Sequence, residues 1–127
     1  MKVVDASAMI DTLTGGARSD QLIPILDDDL FAPDLLIPEV LAFLRRMASR
    51  NHLTGTEADH LAEVFRGAPV EYMHVWPHAA RVWDLRHNLS PYDACYVAVA
   101  EELSAPLVTT DLRLARAATG VVPVIVV

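Results

Sequence analysis

The segment SPYDACYVAVAEELSAPLVTTD, residues 90–111, contains the signals of a helix followed by a strand. Ser90 is a favourable residue for capping a helix, and Pro91 suits the first helical position. The pattern predicts a helix that continues to about Leu103. The short apolar run that follows ends at Asp111, which is typical of a buried strand. A helix that leads into a buried strand is the repeating unit of folds built on a parallel sheet.

The same alternation of strands and helices extends over the whole chain. Residues 2–5 predict a first strand that ends in an acid, and a probable helical turn precedes Gly15 and Gly16. Further strands are predicted at residues 30–32, 70–75 and 121–127. Further helices are predicted at residues 19–26, about 34–50, 54–65, 77–86 and 112–118, with Pro38 as a start or kink of the second of these. This order favours one α/β domain, residues 1–127, with a mostly parallel sheet covered on both faces.

The net charge limits the classes of function. It is −7 at pH 7, and Lys2 is the only lysine. A protein that holds nucleic acid by a broad basic surface is therefore not expected. A metal-dependent nuclease is not excluded, because clustered carboxylates form the site itself and a bound metal reverses their charge locally.

The apolar segments and the cysteine content point to a cytoplasmic protein. No apolar run reaches the roughly 18 residues that a membrane span needs. Residues 1–5 lack the charged and then apolar layout of a signal peptide, so we expect no membrane partner. The only cysteine, Cys95, allows neither an intrachain disulfide nor a multi-cysteine zinc site. Its apolar neighbours predict a thiol in the core.

Four acids occupy positions that suit a common site. Asp5 and Asp111 follow predicted inner strands, and the ligand crevice of an open parallel sheet lies outside such strand ends. Asp93 is the third residue after the helix cap Ser90, and Glu39 lies at the opening of the long middle helix. Each acid alone could cap a helix, offset a helix dipole or face solvent. Four carboxylates in one crevice need a cation to offset their repulsion, and an oxygen-only ligand set favours Mg²⁺ or Mn²⁺.

Four stretches give the chain a specific resemblance. They are VVDASA (residues 3–8), EVLAFLRR (39–46), SPYDACYVAVAE (90–101) and PLVTTDLRLA (106–115). In this order and spacing the chain resembles the PIN-domain family, and in particular the VapC-like ribonuclease toxins of type II toxin–antitoxin pairs. One departure is Ala42, where the family often has asparagine, so details of substrate contact are less transferable.

The resemblance implies a fold, an activity and partners. The fold would be a three-layer α/β/α sandwich with a five-stranded parallel sheet. The activity would be that of an endoribonuclease that depends on Mg²⁺ or Mn²⁺ and leaves a 5′-phosphate and a 3′-hydroxyl. The partners would be an RNA substrate, a cognate antitoxin and a second copy in a homodimer. The family pattern carries its four metal-site acids onto Asp5, Glu39, Asp93 and Asp111.

The mechanistic hypothesis assigns roles to these acids and to their neighbours. Asp5 and Asp93 are expected to be direct ligands, and Asp111 to complete the site directly or through water. Glu39 would ligate a second ion or accept a proton from the attacking water. Ser7 and Thr109 are candidates for orienting the carboxylates, with a helix-cap or strand-end role as the alternative for each. Phosphate contacts are expected from five arginines, for which a solvated helix face is the alternative: Arg45, Arg46, Arg50, Arg113 and Arg116.

Two other classes of function fit part of the sequence. A phosphotransfer domain, such as a haloacid-dehalogenase-like phosphatase or a response-regulator receiver, would also place an acid after its first strand. It needs a lysine near the phosphoryl group, however, and Lys2 lies before that strand. The second alternative is a non-catalytic PIN-like scaffold that binds RNA or a protein partner. The presence of all four acids argues against this reading without excluding it.

Overall fold

Five parallel strands form a single sheet in the computed structural model, which describes residues 1–127. The strands are β1 (Lys2–Val4), β2 (Leu30–Pro33), β3 (Val70–Met73), β4 (Leu107–Thr109) and β5 (Val124–Val126). Their order across the sheet is β3-β2-β1-β4-β5. All four neighbouring pairs are parallel. The α/β class and the five-stranded parallel sheet expected from the sequence are therefore confirmed.

The order of the strands creates a switch point beside β1. From β1 the chain builds outward to β2 and β3, and it then returns to the other side of β1 to build β4 and β5. In the register, Val4 lies opposite Val108 and Val3 opposite both Phe31 and Leu107. Open parallel sheets form a crevice where the winding direction reverses, outside the carboxyl ends of the strands. That crevice lies here between the ends of β1 and β4.

Seven helices cover the two faces of the sheet. They are α1 (Ala6–Thr14), α2 (Ser19–Leu26), α3 (Leu36–Ser49), α4 (Gly55–Arg66), α5 (Ala79–Asp84), α6 (Pro91–Leu103) and α7 (Leu112–Ala118). On one face, α1 packs against α2, α3 and α4; on the other, α6 packs against α5 and the central strands, and α7 packs against β4 and β5. Right-handed crossovers in opposite directions from β1 account for the two helix layers.

The core is centred on β1, β4 and α6. Val3, Val4 and Val108 have no exposed surface. Every residue of α6 from Ala94 to Ala100 is buried. A helix that is apolar on all sides is one that other elements surround, and α6 meets β1, β2, β4 and α5. The first turn of α6 is consequently held rigidly against the crevice, and Cys95 is a core thiol as predicted.

Several local details differ from the sequence prediction. The helical turn before Gly15 is a full helix, α1, that ends where Gly15 adopts a left-handed conformation with φ of 65°. Pro38 lies within the first turn of α3, where no intrahelical N–H is needed, so it neither starts nor kinks the helix. The helix predicted at residues 77–86 is a 3₁₀ turn, Trp76–His78, followed by the short α5.

The two tryptophans do not lie in the core. Their spacing of seven residues favoured either a core stripe or a dimer stripe. Trp76 is 85% exposed and Trp83 is 66% exposed, so the core alternative was wrong. None of the helices combines the length and the apolar character that crossing a membrane requires.

Candidate active site

The four acids singled out from the sequence all lie at the carboxyl edge of the sheet. Asp5 follows β1 directly, and Asp111 follows β4 after one intervening residue. Asp93 is in the first turn of α6 and Glu39 is in the first turn of α3. The α3 helix follows β2, the neighbour of β1 on its other side. Strand ends and helix starts thus direct the four side chains toward one crevice.

Asp5 is the buried centre of this group, with 3% of its surface exposed. Its Oδ1 accepts hydrogen bonds from the Ser7 hydroxyl at 2.7 Å and from the Ala8 N–H at 2.9 Å, and the latter bond caps α1. Its Oδ2 accepts a hydrogen bond from the Thr109 hydroxyl at 2.5 Å. Burial raises the pKa of Asp5 to about 6, although the three donors oppose that shift.

Thr109 connects Asp5 to Asp111. While its hydroxyl donates to Asp5, the same oxygen accepts the N–H of Asp111 at 3.0 Å. Ser7 lies beside it, with 3.1 Å between the two hydroxyl oxygens, and accepts the N–H of Thr110 at 3.0 Å. Two hydroxyls therefore join the end of β4 to the start of α1, and both orient the Asp5 carboxylate.

Asp111 caps the next helix with one carboxylate oxygen. Its Oδ1 accepts the N–H groups of Arg113 at 2.8 Å and Leu114 at 3.3 Å. Its Oδ2 makes only a long contact of 3.9 Å with the exposed Arg113 guanidinium. The negative charge of Asp111 contributes to raising the pKa of both Asp5 and Asp93. The three aspartates therefore influence one another electrostatically.

Asp93 lies half-buried where α6 approaches α7. Burial is the main cause of its raised pKa, and the charge of Asp111 adds to it. Its N–H donates to the Ser90 hydroxyl at 3.1 Å, which confirms the predicted cap. Asp93 also lines a cavity of about 120 Å³ together with Asn88 and Arg113. The crevice thus has an opening beside Asp93 that contains a cationic side chain.

Glu39 is joined to the crevice by a residue that the sequence reasoning did not single out. The Tyr96 hydroxyl donates to its Oε1 at 2.5 Å. Tyr96 is 2% exposed, and the pKa of its phenol is raised by burial and by the adjacent carboxylate of Glu39. Asp5 contributes to the same shift, so the phenol lies near both acids. The available signal was the position of Tyr96 three residues after Asp93, on the same side of α6.

The charge balance of the crevice fits a divalent cation. Asp5, Glu39 and Asp93 have no lysine, arginine or histidine within ion-pair distance, and Asp111 has only the long Arg113 contact. Their oxygen donors are those that Mg²⁺ and Mn²⁺ prefer. No three acid, histidine or cysteine side chains converge closely enough to form a ready-made ion site. Mutual repulsion favours such spacing of carboxylates when no cation lies between them.

The five arginines proposed for RNA contact fall into two groups. Arg113 and Arg116 are exposed on α7 and line a groove with Asn88 next to the Asp93 cavity. Arg46 and Arg50 follow Glu39 by seven and eleven residues on α3, which places them on its face about 10 and 16 Å further along the axis. Arg45 points to a different face of the helix, since six residues correspond to about 240° beyond Glu39. No acid pairs with Arg45, Arg46, Arg50 or Arg116 in this structure.

Comparison with known proteins places this site in a family. Residues 2–120 match the model of the PIN domain. The chain is 39% identical to Ribonuclease VapC9 of Mycobacterium tuberculosis over 127 residues, which cover 100% of this chain and 98% of the relative. It is also 39% identical to Ribonuclease VapC1 of the same organism over 121 residues, covering 91% of this chain and 89% of that one.

Two solved structures share the fold. One is the crystal structure of Mycobacterium tuberculosis VapC20, a sarcin-ricin loop cleaving toxin, with a TM-score of 0.71, 20% identity, and coverage of 92% of this chain and 95% of that one. The other is FitAcB from Neisseria gonorrhoeae, with a TM-score of 0.72, 17% identity, and coverage of 98% and 96%. The present chain belongs to the PIN-domain family and, within it, to the VapC-like ribonucleases.

Proposed function

We propose that this protein is a metal-dependent endoribonuclease that hydrolyses RNA phosphodiester bonds as the toxin of a toxin–antitoxin pair. Asp5, Glu39, Asp93 and Asp111 form its catalytic site and hold Mg²⁺ or Mn²⁺. The observation that carries the proposal is a set of four acids at the carboxyl edge of β1 and β4, three of them without any ion-pair partner. Its membership of the VapC-like ribonucleases supports the choice of RNA as substrate.

Each side chain has a distinct task in this proposal. A divalent cation, when bound, compensates the charge that develops on the phosphoryl oxygens. Asp5 and Asp93 ligate it directly, and Asp111 does so directly or through water. Glu39 ligates a second ion or accepts a proton from the attacking water. Ser7 and Thr109 keep the Asp5 carboxylate oriented by their hydrogen bonds.

The RNA strand needs local positive charge, because the protein is acidic overall. Arg113 and Arg116 lie where the crevice opens beside Asp93, and Arg46 and Arg50 continue the face of α3 that carries Glu39. In this proposal they contact phosphates on either side of the scissile bond. Arg45, on another face of α3, is the weakest of the five candidates.

The experiment that tests the proposal compares three variants at one Mg²⁺ concentration. Asp5→Asn and Asp93→Asn are expected to lower the rate of RNA cleavage by more than the roughly 10–100-fold typical of residues that only support a ligand. Asp59→Asn is the matched control, since Asp59 is an exposed acid on α4 far along the chain from the crevice residues. Circular dichroism checks that all three variants fold. Full activity of either crevice variant, or undiminished cleavage in excess EDTA, would falsify the mechanism.

A non-catalytic scaffold is the alternative, and one observation favours it. The four acids do not form a ready-made ion site. Calorimetric titration of the metal-free protein with Mn²⁺ separates the two functions. The nuclease proposal expects saturable binding that Asp5→Asn weakens, followed by RNA cleavage under the same conditions. A scaffold would bind RNA or protein with no cleavage at saturating metal.

An antitoxin is the protein partner in this proposal. It would shield the crevice, using an arginine or an apolar segment, because the unpaired carboxylates offer a favourable site for a guanidinium. A short open reading frame immediately upstream of the gene is expected to encode it. Co-expression of that product should suppress RNA cleavage, and the two chains should purify together. Cleavage that is unchanged by the co-purified partner would contradict this role.

A further inference from the structure

Glu39 differs from the other acids of the crevice in how it is held. Asp5 and Asp111 cap helices with their own carboxylates. Glu39 lies within the first turn of α3, is partly exposed, and accepts a single side-chain hydrogen bond, from Tyr96. Without that contact its flexible side chain could turn toward solvent, away from the repulsion of the neighbouring acids.

We infer that Tyr96 is a positioning residue for Glu39: its hydroxyl holds the Glu39 carboxylate at the crevice and leaves one carboxylate oxygen, Oε2, for a cation or a water molecule. This inference rests on the proposed function. It goes further because it assigns a role in assembling the site to a residue that is neither an acid nor a neighbour of Asp5.

The surroundings of Tyr96 make its hydroxyl a fixed donor. Its ring is almost fully buried in a helix whose next residues, through Ala100, are all buried. The phenol has one hydrogen to donate, and the 2.5 Å contact with Glu39 uses it. A hydrogen bond to an ionised carboxylate is among the stronger kinds in proteins. The rigid core thus extends, through one hydroxyl, to a side chain on a different helix.

The same helix provides a matched control. Tyr92 lies one turn earlier on α6, is 62% exposed, and makes no side-chain hydrogen bond. Replacing either tyrosine with phenylalanine removes only the hydroxyl and keeps the ring. The two substitutions therefore separate the effect of the Glu39 contact from the general effect of losing a phenol on this helix.

The first test measures Mn²⁺ binding and cleavage for Tyr96→Phe and Tyr92→Phe. Tyr96→Phe is expected to weaken Mn²⁺ binding to the metal-free protein, measured by calorimetry, by about 10-fold, which is the lower end for a residue that supports a ligand. Its kcat should fall by a similar factor while KM for RNA changes little, because the phosphate contacts lie elsewhere. Tyr92→Phe should match the wild type. Wild-type Mn²⁺ affinity and kcat in Tyr96→Phe would overturn the inference.

A double-mutant cycle tests whether Tyr96 acts through Glu39. Once Glu39→Gln is present, adding Tyr96→Phe should cause little further loss of Mn²⁺ affinity, because the carboxylate to be positioned is already gone. Additive losses would mean that the hydroxyl acts independently of Glu39, and would also overturn the inference. If Asp5→Asn and Glu39→Gln both keep full cleavage, the proposed function itself fails, which is a separate outcome.

A measurement without any change at Tyr96 covers the case in which Tyr96→Phe does not fold. The chain has three tyrosines, and 3-fluorotyrosine labelling gives one ¹⁹F resonance for each. Tyr72→Phe and Tyr92→Phe assign the spectrum. Adding Mg²⁺ should shift the Tyr96 resonance in a saturable way and leave the Tyr92 resonance unchanged. A Tyr96 resonance that does not respond at Mg²⁺ concentrations that support cleavage would contradict the inference.

Discussion

A buried carboxylate with three hydrogen-bond donors and no cationic partner, as at Asp5, is under two opposing influences. The hydroxyls of Ser7 and Thr109 and the N–H of Ala8 favour its charged form. Burial favours the neutral form and outweighs them, so the pKa is raised to about 6. The metal-free protein therefore carries a carboxylate whose charge destabilises the fold, and a cation would relieve that cost.

Asp5 should make the stability of the metal-free protein depend on pH. Its pKa is near 3.8 when unfolded and about 6 when folded. Its stabilising contribution is therefore complete below pH 3.8 and is lost as the pH rises through 6. Two pKa units correspond to about 3 kcal/mol. Asp5→Asn stays neutral, so wild type should lose up to about 3 kcal/mol relative to it between pH 4 and pH 7.5.

Urea unfolding of both proteins in EDTA, at several pH values, measures this difference. Subtracting the two curves removes the contributions of all groups except Asp5 and those coupled to it. The difference between the two unfolding free energies should change mainly between pH 4 and pH 6.5. Curves that run parallel over this range would show that Asp5 has an ordinary pKa in the folded protein.

Individual residues differ in how far the sequence reveals them. Asp5 and Asp111 could be located because an acid at the end of an apolar run is a local pattern. The competing roles considered for Asp5, helix cap and site acid, turn out to be compatible, since its Oδ1 caps α1 while the carboxylate faces the crevice. The Tyr96–Glu39 contact joins residues 57 positions apart and depends on how two helix layers meet. No local pattern reports such a contact.

At the scale of single elements, α4 begins with a complete capping box. The Thr54 side chain accepts the N–H of Glu57, and the Glu57 side chain accepts the N–H of Thr54, both at 3.0 Å. Thr54→Ala should lower the free energy of unfolding by about 1 kcal/mol. It should leave RNA cleavage unchanged, because α4 contributes no acid to the crevice. Urea unfolding and a cleavage assay measure the two effects.

Thr56→Ala is the control for this prediction. Thr56 is exposed in the same first turn, and its hydroxyl makes no hydrogen bond in the structure. A loss of stability as large as that of Thr54→Ala would mean that the capping contact is not the cause. A loss of cleavage in Thr54→Ala without unfolding would mean that α4 does influence the crevice.

The arginines on α3 make a second prediction at this scale. If Arg46 and Arg50 contact RNA phosphates, replacing both with glutamine should lower kcat/KM at low salt. It should also reduce the steepness of its salt dependence, by about 0.7 in the log–log slope for each lost contact to a single strand. Arg66→Gln, an arginine of α4 paired with Glu63, is the control. An unchanged slope in the double variant would remove α3 from the RNA path.

At the scale of the whole molecule, periodicity was sufficient to predict the α/β class but not how the surface is used. Strands and helices alternate along the chain, and short apolar strands between amphipathic helices predict a parallel sheet. The helix predicted after Pro77 was too long, because the apolar residues from Trp76 to Trp83 look like a core stripe. The fold exposes both tryptophans instead. Exposure depends on tertiary packing, which a local pattern does not report.

The exposed aromatic groove predicts a homodimer. Trp83 and Tyr92 line a groove together with Leu35, Val75 and Val82. Its apolar lining is what an interface between two copies requires, because large exposed apolar patches are costly on a monomer. We expect wild type to sediment as a dimer and Trp83→Glu as a monomer. Val64→Glu, at an exposed apolar residue of α4, is the control. A monomeric wild type would contradict the prediction.

The parallel sheet also separates the reactive amines of the protein from its crevice. The only two primary amines, at Lys2 and at the amino terminus, lie together on Asp28, at 2.6 and 2.7 Å, where β1 begins. The acids of the crevice lie beyond the opposite ends of the strands. Amine coupling to a biosensor surface should therefore attach every molecule by the same edge. The crevice would face the solution in each of them, which suits binding measurements with RNA.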